Sequence, residues 1–186
     1  MPLTIAVIVG SLRRESYNRH LAEALIRHPA VAGHSFHFLD IGALPPYNQD
    51  DDADQPEPAK QLKQQIRSAD AVIFVTPEYN RSIPGVLKNA IDHASRPYGD
   101  SAWAAKPAGV IGTSPGAMGT AMAQQHLRNV LAALDMPTLG LPEAYIQWKD
   151  DTIGADGQLT GRTADFAGKW LAALLEFAAR HRTDRT

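Results

Sequence analysis

The chain has 186 residues, of which 44% are hydrophobic and 20% charged, as expected for a globular protein with a full core. Its formal net charge of −2 gives no electrostatic basis for binding nucleic acid or an anionic membrane surface. The absence of cysteine excludes disulfides, thiolate catalysis and iron–sulfur clusters, and neither a signal peptide nor an apolar run of about 20 residues is visible. We therefore predict a single cytoplasmic domain over residues 1–186.

Apolar strands and amphipathic helices alternate along the chain. The first run, 3–9, is apolar almost throughout, which is typical of a strand buried on both faces. Leu21, Leu25 and Ile26 then recur at helical spacing. The same alternation continues: the predicted strands are 3–9, 34–39, 71–75, 108–112 and 145–148, and the predicted helices are 16–28, 84–95, 118–134, 163–181 and one that begins at 56.

This order of elements predicts the fold and the place of a ligand. Five strands that alternate with five helices indicate a doubly wound α/β protein with a parallel sheet. At this length we expect the flavodoxin-like strand order 2-1-3-4-5 with helices on both faces. Ligands bind such sheets beyond the carboxyl ends of the strands, where strands one and three adjoin. Three loops meet there: the first loop (10–18), the second loop (76–82) and the third loop (113–119).

The first loop combines several groups that bind anions. A strand-to-helix loop directs main-chain N–H groups and a helix N-terminus towards a ligand. Its side chains add donors suited to a terminal phosphate: the hydroxyls of Ser11 and Ser16, the guanidinium of Arg13 and the amide of Asn18. Because Gly10 is its only glycine, the loop matches neither a P-loop nor a dinucleotide fingerprint, and it indicates a mononucleotide. The alternative is that Ser16 only caps the helix while the arginines face solvent.

The second loop and its flank, 76–85, hold an aromatic ring, an amide, a carboxylate and two prolines within ten residues. A flat ligand with a polar edge suits this set. Asn80 and main-chain groups would bind the edge, while the prolines keep the loop stiff. The alternative is a rigid turn that caps the third helix, with Tyr79 packed on the surface.

Together the three loops resemble those of the NADPH-dependent FMN reductase family, and within it the bacterial quinone and chromate reductases. The resemblance rests on the first loop, on 77–80 with 82–90 behind it, and on 114–116, and it extends over about 5–145. The sequence departs from the family pattern at the end of the third loop, where Thr120 follows Gly119 and a second glycine is common.

The resemblance implies an FMN cofactor and assigns residues to it. These are Ser11, Arg13, Ser16, Tyr17 (through its backbone) and Asn18 for the phosphate, Pro77, Glu78, Tyr79 and Asn80 for the isoalloxazine ring, and Ser114 and Gly116 for its pyrimidine end. It also implies that electrons pass in a ping-pong cycle from NADPH or NADH through FMN to a small-molecule acceptor such as a quinone or chromate. No catalytic side chain and no metal is implied, and the expected assembly is a homodimer or homotetramer.

Two other functions fit parts of the sequence. The run 112–116 matches the Gly-x-Ser-x-Gly elbow of hydrolases, but the residue after Ser114 is Pro115, which has no N–H for an oxyanion hole. An FMN-binding electron carrier without substrate turnover is the second alternative. Such carriers are usually strongly acidic, so a net charge of −2 does not favour it.

The remaining polar and aromatic residues are assigned no chemistry. The acidic run 50–54 and the seven histidines lack metal-ligand spacing and are interpreted as surface residues. Trp103, Trp148 and Trp170 are interpreted as core or subunit contacts rather than as partners of a cofactor ring.

Overall fold

A computed structural model describes residues 1–182. Its five strands are β1 (Thr4–Val9), β2 (Ser35–Phe38), β3 (Ala71–Val75), β4 (Ala108–Ser114) and β5 (Ala144–Gln147). Its five α-helices are α1 (Tyr17–Arg27), α2 (Glu57–Ser68), α3 (Gly85–Ala94), α4 (Ala121–Ala133) and α5 (Gly161–Arg180). Short 3₁₀ turns occupy Pro29–Val31 and Gln49–Asp51.

All neighbouring strands pair in parallel, in the order β2-β1-β3-β4-β5. This confirms the predicted flavodoxin-like order. Val9 pairs with Val75, and Val75 pairs with Ile111. The carboxyl ends of β1, β3 and β4 therefore lie at the same edge of the sheet, which brings the first, second and third loops together.

The sheet separates two apolar cores. Helices α1 and α5 cover one face with side chains that include Leu21 and Trp170. Helices α2, α3 and α4 cover the other face with side chains that include Leu62, Leu87 and Leu127. Every residue of β3 is buried, as the unbroken apolar run predicts for a central parallel strand.

Two predicted boundaries near the third loop are wrong for local reasons. Strand β4 runs to Ser114 rather than ending at 112, because its pairing with β5 continues to the Ser114–Gln147 pair. Helix α4 begins at Ala121 rather than at 118, because Gly119 has φ of 56°, a left-handed conformation that does not continue a helix. Residue 114 is therefore positioned by the sheet and not by a free loop.

Two further observations apply to the described range. Within residues 1–182, no helix combines the length and apolar character needed to cross a membrane. In the same part of the chain, no group of three histidine, aspartate or glutamate side chains is placed to hold a metal ion.

Candidate cofactor site

A cavity of about 220 Å³ lies where the three loops meet, at the carboxyl edge of the sheet. Nine of the eleven predicted site residues line it: Ser11, Arg13, Ser16, Tyr17, Asn18, Pro77, Glu78, Tyr79 and Ser114. The other two, Asn80 and Gly116, are exposed and do not line the cavity. Thr113 and Pro115 also line it, although sequence reasoning did not assign them to the site. The cavity is where a doubly wound sheet is expected to bind a ligand.

Ser16 caps α1, and the cap leaves donors free. The N–H of Arg19 donates to Ser16 Oγ (3.3 Å), and the N–H of His20 donates to the Ser16 carbonyl (3.0 Å). The N–H groups of Tyr17 and Asn18 precede the first intrahelical hydrogen bond, so the helix itself does not satisfy them. No acidic residue lies in the first turn of α1. The capping interpretation of Ser16 is therefore correct, and it is compatible with anion binding because the Ser16 hydroxyl still has a hydrogen to donate.

The side chain of Asn18 is bonded to β4. Its Nδ2 donates to the Thr113 carbonyl (2.9 Å), and its Oδ1 accepts from the Thr113 N–H (3.0 Å). Both bonds are buried, and Asn18 is 3% exposed. Asn18 can therefore offer an anion its main-chain N–H and its second amide hydrogen, while the rest of its side chain joins the first loop to the third.

Tyr17 and Arg13 are part of a series of stacked groups. The Arg13 guanidinium carbon lies 5.4 Å from the centroid of the Tyr17 ring. The Tyr17 ring stacks on Trp148, with centroids 4.6 Å apart and planes inclined by 24°. Trp103 and Trp170 are fully buried in the core, whereas Trp148 is half-buried beside the first loop.

The second loop is a tight two-residue turn. Tyr79 and Ser82 exchange two main-chain hydrogen bonds of 3.0 Å across Asn80 and Arg81. Asn80 has φ of 52° and Arg81 has φ of 67°, the left-handed pair of a type I′ turn. The predicted turn is therefore present, but no side chain among the described residues caps the N-terminus of α3, which follows Pro84. Tyr79 is 50% exposed at the mouth of the cavity, where a flat ligand can reach its ring.

Glu78 connects the second loop to helix α4. Its Oε2 accepts from the main-chain N–H groups of Met122 (3.0 Å) and Ala123 (3.1 Å). Thr120, the N-terminal flanking residue of α4, makes no side-chain cap; its Oγ1 accepts from Gln124 Nε2 instead. The Glu78 carboxylate therefore caps α4 from another loop. Its second oxygen, Oε1, lies 3.7 Å from Arg81 Nη1, so the contact that the resemblance assigns to Glu78 is left mainly to its main chain.

The third loop lies against the second because β4 carries a glycine at its end. A Cβ at Gly112 would lie 2.1 Å from the Thr76 carbonyl oxygen and 2.2 Å from Thr120 Oγ1. No side chain fits in that space. The Ser114 hydroxyl donates to the carbonyl of Gly119 and so is not directed at a general base. This arrangement agrees with the rejection of a hydrolase.

The residues that line this cavity fit FMN. Free N–H groups at a helix N-terminus, two hydroxyls and a guanidinium are the donors that a phosphomonoester requires. Two prolines and the Tyr79 ring provide flat apolar surface beside those donors, as an aromatic ring system requires.

A larger cavity of about 490 Å³ lies elsewhere, between β5 and the start of α5. None of the predicted site residues lines it. Burial, reinforced by a hydrogen bond with Glu143, raises the pKa of Tyr145 in this cavity to about 12. Size alone would favour this cavity, but it lies away from β1 and β3, whose carboxyl ends form the ligand site of a doubly wound sheet.

Comparison with known proteins gives consistent results. The family model of the NADPH-dependent FMN reductases matches residues 3–150. A 2-hydroxy-1,4-benzoquinone reductase of a Burkholderia species is 51% identical, with 100% of this chain and 99% of the relative aligned. A quinone reductase of Pseudomonas putida is 49% identical, with 88% of each chain aligned. The solved structure of a Paracoccus denitrificans flavoenzyme, an NAD(P)H:(acceptor) oxidoreductase, superimposes with a TM-score of 0.93 at 47% identity, covering 97% of this chain and 100% of that one.

These matches confirm the resemblance inferred from the three loops. They also confirm the expectation of an oxidoreductase that uses FMN and NAD(P)H. The chain belongs to the NADPH-dependent FMN reductase family.

Proposed function

We propose that the chain is an FMN-dependent NAD(P)H:quinone oxidoreductase that works by a ping-pong cycle. The observation that carries the proposal is the cavity at the carboxyl edge of β1, β3 and β4, which is lined by nine of the eleven residues assigned to FMN. The quinone as acceptor is supported by two relatives at about half identity that are named as quinone reductases.

The first loop binds the phosphate in this proposal. The free N–H groups of Tyr17 and Asn18 and the hydroxyl of Ser16 meet it at the N-terminus of α1. Arg13 is exposed and lines the same cavity, so its guanidinium balances the phosphate charge from the solvent side. These donors form one group because Ser16 caps the helix that carries the two N–H groups.

The second and third loops hold the ring in this proposal. When bound, FMN supplies the redox chemistry: it takes a hydride from NAD(P)H and delivers electrons to the acceptor. Pro77, Tyr79 and Pro115 line the cavity and supply the flat apolar surface for the ring. The half-exposed Tyr79 leaves the mouth open, so the nicotinamide and the acceptor bind in turn over the same face. Chromate, which is small and charged, is a second acceptor that such an open mouth admits.

Visible absorbance spectra of the FMN-loaded protein, recorded after each substrate is added, test the reaction. We expect NADPH to bleach the flavin absorbance under anaerobic conditions and a benzoquinone to restore it. Double-reciprocal plots of initial rate at several fixed quinone concentrations should then give parallel lines, as a ping-pong cycle requires. A bound flavin that neither NADPH nor NADH bleaches would instead indicate an electron carrier, and intersecting lines would refute the ping-pong order.

Binding of FMN by variants tests the site. Arg13→Ala combined with Ser16→Ala removes one charged and one neutral donor and should weaken FMN binding about a hundredfold. The matched control is Arg162→Ala, because Arg162 is also exposed but lines the larger cavity. Equal affinity in the double variant, or a comparable loss in the control, would refute the phosphate assignment.

The assembly is part of the proposal. A homodimer or homotetramer is expected from the resemblance, with residues 40–55 and α3 as the contact. Tyr47 N donates to Asn89 Oδ1 (2.7 Å), and Asn89 Nδ2 donates to the Pro45 carbonyl (2.9 Å), so this segment is fixed to α3 as one surface. Light scattering coupled to gel filtration tests it, and a monomer at micromolar concentration would refute it.

A further inference from the structure

We infer that Trp148 is a positioning residue for the FMN phosphate, acting through the ring of Tyr17. The inference rests on the proposed function, because it assumes that the first loop binds the phosphate. Trp148 follows β5 and does not line the cavity. Its ring stacks on Tyr17, which does line it, with centroids 4.6 Å apart.

Tyr17 connects this stack to the phosphate donors. It is the first residue of α1, so its main-chain N–H is one of the free donors at the helix N-terminus. The Arg13 guanidinium lies 5.4 Å from the centroid of the same ring. A shift of the Tyr17 ring would therefore move a main-chain donor and remove the surface against which the guanidinium rests.

Trp148 is itself held in place by main-chain contacts. Its N–H donates to the Ser114 carbonyl (2.8 Å), at the end of β4. The next N–H, that of Lys149, donates to Thr152 Oγ1 (2.7 Å). The main chain that carries the indole is thus fixed at the end of β4. The rings of Tyr17 and, at 6.2 Å between centroids, His20 lie against the indole, and Arg13 lies over the Tyr17 ring. This makes Trp148 the fixed partner and Tyr17 the positioned one.

If Trp148 acts through Tyr17, loss of its ring should weaken binding of the phosphate and leave binding of the flavin ring unchanged. Riboflavin carries the same ring system as FMN and lacks the phosphate. Loss of the Trp148 ring should weaken FMN binding about five- to tenfold, the range of one aromatic stacking contact, and change riboflavin binding less than about twofold. A residue that merely stabilises the fold would lower both affinities by the same factor.

The experiment titrates the flavin-free full chain with FMN and with riboflavin, following flavin fluorescence. Trp148→Ala removes the ring. Trp148→Leu keeps apolar volume without a flat face, and it replaces the alanine variant in the titration if that variant does not fold. Trp148→Phe retains a ring and should restore the FMN affinity to within about twofold. The matched control is Phe177→Ala, because Phe177 is a half-buried ring on α5 in contact with the His181 ring, with centroids 4.1 Å apart and planes inclined by 32°.

A second arm tests whether Trp148 acts through Tyr17. If it does, Tyr17→Ala and the double variant Tyr17→Ala/Trp148→Ala should weaken FMN binding equally, because the second change removes nothing further. Additive losses, equal losses of FMN and riboflavin, or no loss in Trp148→Ala would each overturn the inference. Failure of the parent protein to bind any flavin would overturn the proposed function first, before any variant is compared.

Discussion

Replacing Asn18 distinguishes two interpretations of its side chain, a contact to phosphate or a bond to β4, because they predict different changes in the stability of the apo-protein. If Asn18 only faces a phosphate, Asn18→Ala leaves the stability of the apo-protein unchanged. Asn18→Asp would then stabilise it by about 0.3–1 kcal/mol, because an acid in the first turn of a helix favours the helix dipole. The structure predicts instead that both substitutions destabilise the protein, since the amide bonds to the buried main chain of Thr113.

The magnitude follows from the two bonds that are lost. Asn18→Ala leaves the N–H and the carbonyl of Thr113 without their partner, and a buried unpaired polar group costs about 1–3 kcal/mol. We therefore expect the free energy of unfolding to fall by about 3 kcal/mol, which corresponds to roughly 6–12 °C in Tm for a chain of this size. Asn18→Asp keeps the bond from the Thr113 N–H but sets a carboxylate oxygen against the Thr113 carbonyl, so it should destabilise at least as much.

The assay is urea unfolding of the apo-protein in a buffer free of phosphate, with Asn129→Ala as the control. Asn129 is exposed in α4, so its replacement should change the free energy of unfolding by less than about 0.5 kcal/mol. An Asn18→Asp protein as stable as the parent, or more stable, would refute the role of Asn18 as the connection between α1 and β4.

Three further changes test neighbouring contacts. Glu78→Ala removes the acceptor for two N–H groups of α4 and should lower the free energy of unfolding by about 2 kcal/mol in the same assay, whereas Glu176→Ala, exposed in α5, should change it by less than about 0.5 kcal/mol. Gly112→Ala would set a Cβ 2.1 Å from a second-loop carbonyl oxygen, so we expect insoluble protein or a Tm lowered by more than about 10 °C; a Tm near that of the parent would contradict the close approach. The hydrogen bond from Lys63, with Arg67 nearby, holds the pKa of the Asp100 carboxyl below its ordinary value, so the ionised group stabilises the fold at neutral pH and the contribution is lost as the pH falls through the lowered pKa. Asp100→Asn should therefore be less stable than the parent at about pH 6 and closer to it at about pH 3, and a pH-independent difference would refute the assignment.

Much of the fold could be predicted because its signals are local. Strands β1 and β3 are almost unbroken apolar runs, and each helix repeats apolar residues on one face, so element types and their order follow from short windows of sequence. The parallel sheet and its order then follow from the alternation of strands and helices and from chain length. The site follows in outline, since the carboxyl edge of such a sheet brings the same three loops together whatever their side chains.

The roles of particular side chains were not predictable, because they depend on distances between loops that are far apart in sequence. The first loop predicts Asn18 as a phosphate donor and the resemblance assigns Glu78 to the flavin ring, yet the Asn18 side chain bonds the end of β4 and the Glu78 side chain caps α4. Trp148 carries no local signal at all, since its meaning comes only from the position of Tyr17. The end of β4 was missed for a similar reason, because pairing with β5 and not local sequence decides where it stops.

The three loops are joined to one another by contacts that exist without a ligand. Asn18 joins the first loop to the third, Trp148 joins them again through Tyr17, and Glu78 joins the second loop to the helix that follows the third. Loss of each contact costs only about 1–3 kcal/mol, but together the contacts fix donors that a flexible loop would have to order on binding, at about 0.5–1.5 kcal/mol per side chain. The N–H groups at the start of α1 are left without an acceptor by the same arrangement, and the proposed phosphate would supply one. The Thr113 hydroxyl, buried in the same cavity without a partner among the described residues, is a second unsatisfied group of the site. The three loops are therefore joined to one another without a ligand, and in the proposed function the phosphate would complete a helix terminus that is already formed.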